Sequence, residues 1–169
     1  MAMVFLNKME IKLKKGILIP ENWTFKSLTD NTLCTLIKPG ISYFSETKVY
    51  LSTSEVNGDK YDLTQNKITY KNRESRANME PKPNSIWFAK MKNSIKHMAF
   101  TEDSDLIKKS ILSTGFCGIK CDLNSFSYIW SIIHMPWFET IKDKIASGST
   151  QEAVSEMTLF LYTDICLVA

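Results

Sequence analysis

The chain has 169 residues, 44% of them hydrophobic and 23% charged, and it carries a net charge of +3 at pH 7. This length suits one domain with its own core, and the composition is ordinary for a globular protein. No apolar run is long enough to span a bilayer, and the first lysines follow the N-terminal apolar residues, which excludes a secretory signal. Four cysteines without a dense framework suit a reducing cytoplasm.

The first half of the chain is predicted to consist of strands and loops. Residues 1–19 leave helix and strand open, because their lysines and apolar residues show no clear period. Strands are predicted at 33–37, 48–56 and 61–70. Asn57-Gly58 between the last two gives a strong hairpin signal. Residues 71–84 follow as a basic loop.

The second half is predicted to add strands and then helices. Strands are predicted at 85–91, 95–100 and 111–119, and the end of the chain, 159–169, also favours a strand. A helix follows the third of these strands, with an apolar stripe formed by Phe126, Ile129, Trp130, Ile133 and Trp137. A second amphipathic segment begins after Pro136, and Ser149-Thr150-Gln151-Glu152 fits a capping box that starts another helix. Strands in the first two thirds followed by helices indicate an α+β fold.

Positive charge is concentrated in the middle of the chain. Residues 67–97 contain eight Lys and Arg but two Asp and Glu, a net charge of +6, whereas residues 98–169 carry −4. Such a segment favours a polyanion partner, since Lys and Arg neutralise phosphates and Asn can address adenine edges. The candidate DNA-binding residues are Lys71, Asn72, Arg73, Arg76, Lys90, Lys92, Asn93, Lys96 and His97.

No catalytic, cofactor or metal constellation is evident in the sequence. It has neither a Gly-rich phosphate loop nor a G-x-S-x-G elbow, and no Asn-Pro-Pro-aromatic string of a DNA amino-methyltransferase. Cys117 and Cys121 lack a second pair at zinc spacing. His97 and His134 are far apart in sequence, and His134 is interpreted as a structural residue. The chain is therefore predicted to be neither an enzyme nor a metalloprotein.

Several sequence pieces occur in an order that resembles a known family. They are Ile19-Pro20-Glu21-Asn22-Trp23, Ser75-Arg76-Ala77, Asn84-Ser85-Ile86-Trp87-Phe88-Ala89-Lys90-Met91, Leu112-Ser113-Thr114-Gly115-Phe116 and Ala146-Ser147-Gly148-Ser149-Thr150-Gln151. No single piece is specific, but their order and spacing resemble a target-recognition domain of the specificity (S) subunit of type I restriction–modification enzymes. The resemblance runs from roughly residue 17 to residue 160.

The resemblance implies a fold, a role and partners. The fold would be a mixed, strand-rich sheet or partial barrel followed by packed helices. The role would be non-catalytic, sequence-specific binding of double-stranded DNA that directs methyltransferase (M) and restriction (R) subunits, in the cytoplasm. The implied organisation is a basic N-terminal segment at 1–16, a target-recognition domain at 17–160 and an apolar end at 161–169, where a longer S subunit would continue.

Two alternatives remain open at this level. One is an interaction or dimerisation module, a truncated or half S subunit, that pairs through the apolar residues 160–168 without binding DNA itself; a homodimer would fit this hypothesis. The other is a small hydrolase, which the absence of an assembled nucleophile and base disfavours.

Overall fold

The structure of the chain is a computed structural model. The structure describes residues 11–14, 17–20, 23–27, 31–64, 66–146 and 164–168. Within these ranges, none of the helices has the length and apolar character that crossing a bilayer would require.

Short strands make up most of the described secondary structure. In chain order the strands are β1 (Ile11–Lys14), β2 (Ile17–Pro20), β3 (Trp23–Ser27), β4 (Cys34–Leu36), β5 (Lys48–Leu51), β6 (Val56–Asn57), β7 (Lys60–Tyr61), β8 (Lys67–Ile68), β9 (Ala77–Met79), β10 (Ser85–Ala89), β11 (His97–Phe100), β12 (Ser110–Ser113), β13 (Phe116–Cys121) and β14 (Asp164–Val168). The helices are α1 (Leu106–Lys109), α2 (Leu123–Ile133) and α3 (Pro136–Ile145).

Two four-stranded sheets form the body of the molecule. One has the order β11-β10-β13-β4 and is antiparallel throughout. The other has the order β8-β5-β12-β9, in which β5 and β12 run parallel. Strands β6 and β7 form the hairpin predicted at Asn57-Gly58, with Gly58 in the left-handed region at φ 60°. The α+β class predicted from the sequence is confirmed.

The predicted strand at 111–119 is divided into β12 and β13 by a turn at Thr114 and Gly115. The Ser113 hydroxyl accepts a hydrogen bond from the Gly115 amide at 3.1 Å, which stabilises the turn locally. A Cβ on Gly115 would lie 2.9 Å from Thr53 Cγ2, so the backbone approaches its neighbour closely there. The turn carries the chain from one four-stranded sheet into the other.

Strand β10 is buried on both faces, because one face packs against helices and the other against the second sheet. Ile86 and Phe88 belong to the cluster that contains the buried residues of α2 and α3. Trp87 and Ala89 belong to the cluster shared with the second sheet. This alternation explains why the strand is a continuous apolar run rather than a polar–apolar alternation.

Trp87 lies directly over Gly118 of the neighbouring strand β13. The two residues are paired across the sheet, and a Cβ on Gly118 would lie 2.4 Å from the indole ring. The indole Nε1–H donates to the Ser85 hydroxyl at 2.9 Å, which satisfies the polar atom of a fully buried ring. Any side chain at position 118 would displace this ring.

The region after β13 forms two helices, α2 and α3, and the second begins at Pro136 as predicted. Asp122 caps α2 by accepting from the Asn124 amide at 3.0 Å, and Pro136 begins α3. The inclusion of Trp137 in the buried stripe was wrong: it lies on α3 and is 38% exposed, because the chain changes direction after His134. Phe138 is fully buried instead and contacts Phe88 edge to face at 5.2 Å.

Strand β14 pairs antiparallel with β3 along its whole length, from Asp164 opposite Ser27 to Val168 opposite Trp23. The strand predicted near the end of the chain is confirmed over these residues. The predicted capping box at residues 149–152 lies outside the described part of the chain.

Candidate nucleic-acid interface

Two parts of the positively charged segment, at Arg76 and at Lys90, meet at the Thr114–Gly115 turn. The carbonyl oxygen of Arg76 accepts from the Thr114 amide at 2.9 Å, and the Lys90 amide donates to the Gly115 carbonyl at 3.0 Å. The two backbones are thus held on adjacent residues of one turn, although 14 positions separate them in sequence. The fold therefore brings together two positions whose proximity could not be read from the sequence.

Lys96, which directly precedes β11, lies at the same place. Its ammonium group donates to the carbonyl oxygen of Thr53, whose methyl group contacts Gly115. We call the group of residues Thr53, Arg76, Lys90, Lys96 and Thr114, which these contacts bring to the turn, the basic edge. Arg76 is exposed, whereas Lys90 and Lys96 are half-buried. The two lysines therefore contribute positive charge close to the protein surface.

The loop between β8 and β9 carries the first group of candidate residues. The Arg73 guanidinium stacks 4.1 Å from the centre of the Tyr70 ring and donates to the Tyr70 carbonyl oxygen. Lys71, Asn72 and Arg76 are exposed around it. The stacked arginine stiffens the loop, and the exposed side chains are the ones that an external polyanion can reach.

Arg76 also lies near a buried tyrosine beneath the edge. Burial is the main cause that raises the pKa of Tyr50 above its ordinary value, and the charges of Glu74 and Glu55 act in the same direction. A hydrogen bond to Ser113 and the charge of Arg76 oppose the rise. Tyr50 is 2% exposed, so its hydroxyl stays protonated at neutral pH and serves as a structural support for β12 rather than as an acid or base.

The tip of the β10–β11 hairpin is docked on α3 and carries Lys92 and Asn93. Lys142 is fully buried, and its ammonium donates to the carbonyl oxygens of Met91 and Ser94 at 3.0 and 3.1 Å. The Asn93 amide donates to Asp143 Oδ1 at 3.1 Å, with φ 57°. Both side chains of the tip are exposed. The nearby acidic residues of α3 make this end less positive than the basic edge.

His97 must be removed from the DNA-binding candidates. Its residue is 2% exposed, and its ring lies between carboxylates, with Nε2 3.0 Å from Glu139 Oε1. The prediction was wrong because His97 begins β11 and turns into the sheet–helix junction, while Lys96 before it faces the edge. The exposure of a residue at a strand end is not specified by residue type.

The structure brings His97 and His134 together, which the sequence reasoning missed. Their ring centres are 4.6 Å apart, and Asp59 lies against both. The contact depends on the packing of α2 against the sheet, so no local spacing could have indicated it. The two cysteines considered for zinc, Cys117 and Cys121, are instead buried on β13.

Comparisons with known proteins identify the fold. No protein-family model matches the chain, and no curated protein does. Among solved structures, a chain of a type I restriction–modification (R-M) system, solved in work on its complex assembly and conformational transition, matches with a TM-score of 0.66 at 19% identity. The HsdS subunit from Thermoanaerobacter tengcongensis matches with a TM-score of 0.65 at 18% identity.

The chain has the fold of a type I specificity subunit. Each match covers 88% of this chain and 38% of the other, so the chain corresponds to about two fifths of the length of the HsdS subunit. The resemblance predicted from scattered sequence pieces is confirmed for the fold. In the specificity-subunit fold of this chain, the pieces around Arg76, Trp87 and Gly115 are the ones that meet at the basic edge and in the core beneath it.

Proposed function

We propose that the chain is a target-recognition module of a type I specificity subunit and binds double-stranded DNA without catalysing a reaction. One observation carries the proposal: on a specificity-subunit fold, Arg76 and Lys90 of the +6 segment are hydrogen-bonded to adjacent residues of one turn. A cationic surface supported by a buried scaffold suits a phosphate backbone, whose contacts supply most non-specific affinity.

Different side chains at and beside this surface take different parts in binding. Lys71 and Arg76 are exposed and contact phosphates, while the half-buried Lys90 and Lys96 add positive potential. Asn72 lies next to these cations and presents an amide that can pair with a base edge. Lys92 and Asn93 extend the contact at the hairpin tip. Arg73 acts mainly through its stacking on Tyr70, which holds the loop in shape.

The partners in this proposal are those of a type I system. The module directs M subunits and an R subunit to a DNA site in the cytoplasm, and the chemistry belongs to those subunits. A single module makes part of the contacts of a complete specificity subunit, so its own affinity for DNA is modest.

A fluorescence-anisotropy titration with labelled mixed-sequence duplex DNA tests the proposal. Because each phosphate contact releases counterions, Arg76→Gln and Lys71→Gln should each reduce the slope of log K against log salt by about 1. The control is the double variant Lys108→Gln with Lys109→Gln. These two exposed lysines lie before the first residue of β12, whereas the Thr114–Gly115 turn of the basic edge lies after its last residue. The control should retain the wild-type slope.

Absence of salt-dependent binding at low ionic strength would contradict the proposal. An equal loss in the edge variants and in the control would also contradict it, since that would indicate attraction by net charge alone.

The alternative of an interaction module that docks through residues 160–168 has less support. Residues 164–168 are hydrogen-bonded to β3 of the same chain, so one edge of this strand is already occupied. Sedimentation that shows self-association, together with no affinity for DNA, would favour that alternative.

A further inference from the structure

Two histidines and an aspartate from three elements meet next to the basic edge. Asp59 lies in the turn of the β6–β7 hairpin, His97 begins β11, and His134 caps the C-terminus of α2. One ligand atom from each residue lies within 4.8 Å of the other two. Asp59 Oδ1 is 3.1 Å from His134 Nε2 and 3.6 Å from His97 Nδ1.

The other nitrogen of each imidazole has an oxygen partner that fixes its proton. His134 Nδ1 is 2.8 Å from the carbonyl oxygen of Trp130, which only accepts, so Nδ1 carries the proton and neutral Nε2 has a lone pair. His97 Nε2 is 3.0 Å from Glu139 Oε1, so in the neutral ring Nε2–H donates to this carboxylate. In the neutral rings both remaining lone pairs face Asp59, and such an arrangement needs either a ring proton or a metal cation between the nitrogen and the carboxylate.

We propose that Asp59, His97 and His134 bind a divalent transition-metal ion such as Zn²⁺. Ligating histidines almost always donate their second N–H to a carboxylate or a backbone carbonyl, and Glu139 and Trp130 provide one of each. Tetrahedral zinc with bonds of ~2.0–2.1 Å places its ligand atoms about 3.3 Å apart. The two separations from Asp59, 3.1 and 3.6 Å, lie on either side of that value.

The carboxylates that contact the histidines also favour a cation. Asp59 lies against both rings, and Glu139 contacts His97 while it pairs with the buried Lys142 at 2.9 Å. Because Lys142 already offsets the charge of Glu139, the charge of Asp59 is the one left beside the two imidazoles. A cation bound among these three residues compensates it.

A cavity gives the ion an entry path and room for a further ligand. It has a volume of about 460 Å³ and is lined by Gly58, Asp59, Ile95, His97, His134, Pro136 and Glu139. Three protein ligands with an open side leave the fourth position to a water molecule. The ion connects the β6–β7 hairpin, β11 and the corner between α2 and α3, and it fixes the backbone next to Lys96.

Metal titration of the full chain tests the site without any DNA. After chelator treatment and dialysis at pH 7.5, calorimetry with ZnCl₂ should show one ion per chain. CoCl₂ should produce the visible absorption bands of low-coordinate cobalt. Because a ligand at 100 times its Kd stabilises the folded state, Zn²⁺ at that concentration should raise Tm by about 5–10 °C.

Variants separate this site from adventitious binding. Asp59 and His134 are exposed, so Asp59→Asn and His134→Gln should fold and lose affinity by a factor on the order of 100 or more. Glu139→Gln removes the charged partner of His97 and should lose about 10–100-fold. The matched control is Asp103→Asn, which changes the net charge by the same amount as Asp59→Asn but lies on an exposed loop. This variant should bind Zn²⁺ like the wild type.

Zn²⁺ binding that is unchanged in Asp59→Asn and His134→Gln would overturn the proposal and indicate adventitious surface sites. A silent titration would overturn it as well. If imidazole NMR signals then showed both rings protonated at pH 7.5, the cluster would be a hydrogen-bonded imidazolium pair instead. None of these outcomes depends on whether the chain binds DNA.

Discussion

At the scale of single residues, burial changes the chemistry of Cys121. Burial raises the pKa of its thiol from 9.0 to about 12, and Cys34 and Asp122 act in the same direction. The thiol therefore stays protonated at neutral pH and is a poor nucleophile there.

The same pKa predicts a loss of stability in alkaline solution. The unfolded chain releases the Cys121 proton near pH 9, whereas the folded chain retains it up to about pH 12. Stability is fully present below pH 9 and decreases as the pH rises toward 12, because the unfolded state then binds fewer protons. The free energy of unfolding should fall by about 1 kcal/mol between pH 9 and pH 10 from this group.

Urea denaturation at pH 8, 9 and 10 measures this effect. Cys121→Ala removes the titrating thiol and should show a shallower decline, with the remainder caused by the raised pKa values of Tyr50 and Tyr61. Identical declines in the variant and the wild type would refute the assignment to Cys121.

Residue type alone did not predict the surroundings of the candidate residues. The surplus of Lys and Arg at 67–97 indicates a polyanion surface, which stays a prediction, and Arg76 and Lys71 are exposed. His97 fits the same pattern in sequence but is buried, because exposure at a strand end depends on what packs there. Asp59 was not among the candidate residues, because the residues that it contacts come from elements distant in sequence.

At the scale of elements, Lys142 joins α3 to the β10–β11 hairpin. Its ammonium contacts two hairpin carbonyls and two carboxylates, Glu139 and Asp143, from a fully buried position. A buried charge of this kind is tolerated because every neighbouring group compensates it. The helix is thus attached through one polar residue as well as through Phe138.

Lys142→Met should reduce the free energy of unfolding by about 3–5 kcal/mol, because it leaves carboxylates and carbonyls without their donor. Lys144→Met, on the exposed face of the same helix, should change it by less than about 0.5 kcal/mol. Urea denaturation of both variants makes the comparison. A loss below 1 kcal/mol for Lys142→Met would show that the contacts contribute little.

Element types were predictable where a local period was clear. The hairpin at Asn57-Gly58, the buried strand after Asn84 and the helix after Asp122 were found as expected. The turn that divides 111–119 was not, because Thr114-Gly115 is crowded by Thr53 from another strand. Trp137 does not belong to the apolar stripe of α2, because Pro136 begins a separate helix.

At the scale of the whole molecule, β3 and β14 bring two distant parts of the chain together. Trp23–Ser27 and Asp164–Val168 form their own two-stranded sheet. The sequence predicted a strand near the end but offered no means of choosing its partner, since pairing over such a separation leaves no local pattern. The sequence-based boundary at residue 160 remains a prediction.

A double substitution, Cys166→Pro with Leu167→Pro, should break this pairing. Adjacent amides in a strand point in opposite directions, so one of the two must face β3, and proline removes both. Hydrogen exchange measured by mass spectrometry should then accelerate across 23–27 but not across 85–89. The control, Cys166→Thr with Leu167→Thr, keeps both amides and should retain protection. Unchanged exchange at 23–27 in the proline variant would argue against the pairing.

The Thr114–Gly115 turn holds positions 76 and 90 by hydrogen bonds between main-chain atoms, which do not depend on the side chain at either position. Substitutions at position 76, and those other than proline at position 90, therefore leave these two hydrogen bonds in place. Under the proposed function, exchange of the side chains at these positions would alter DNA contacts without altering the backbone that supports them.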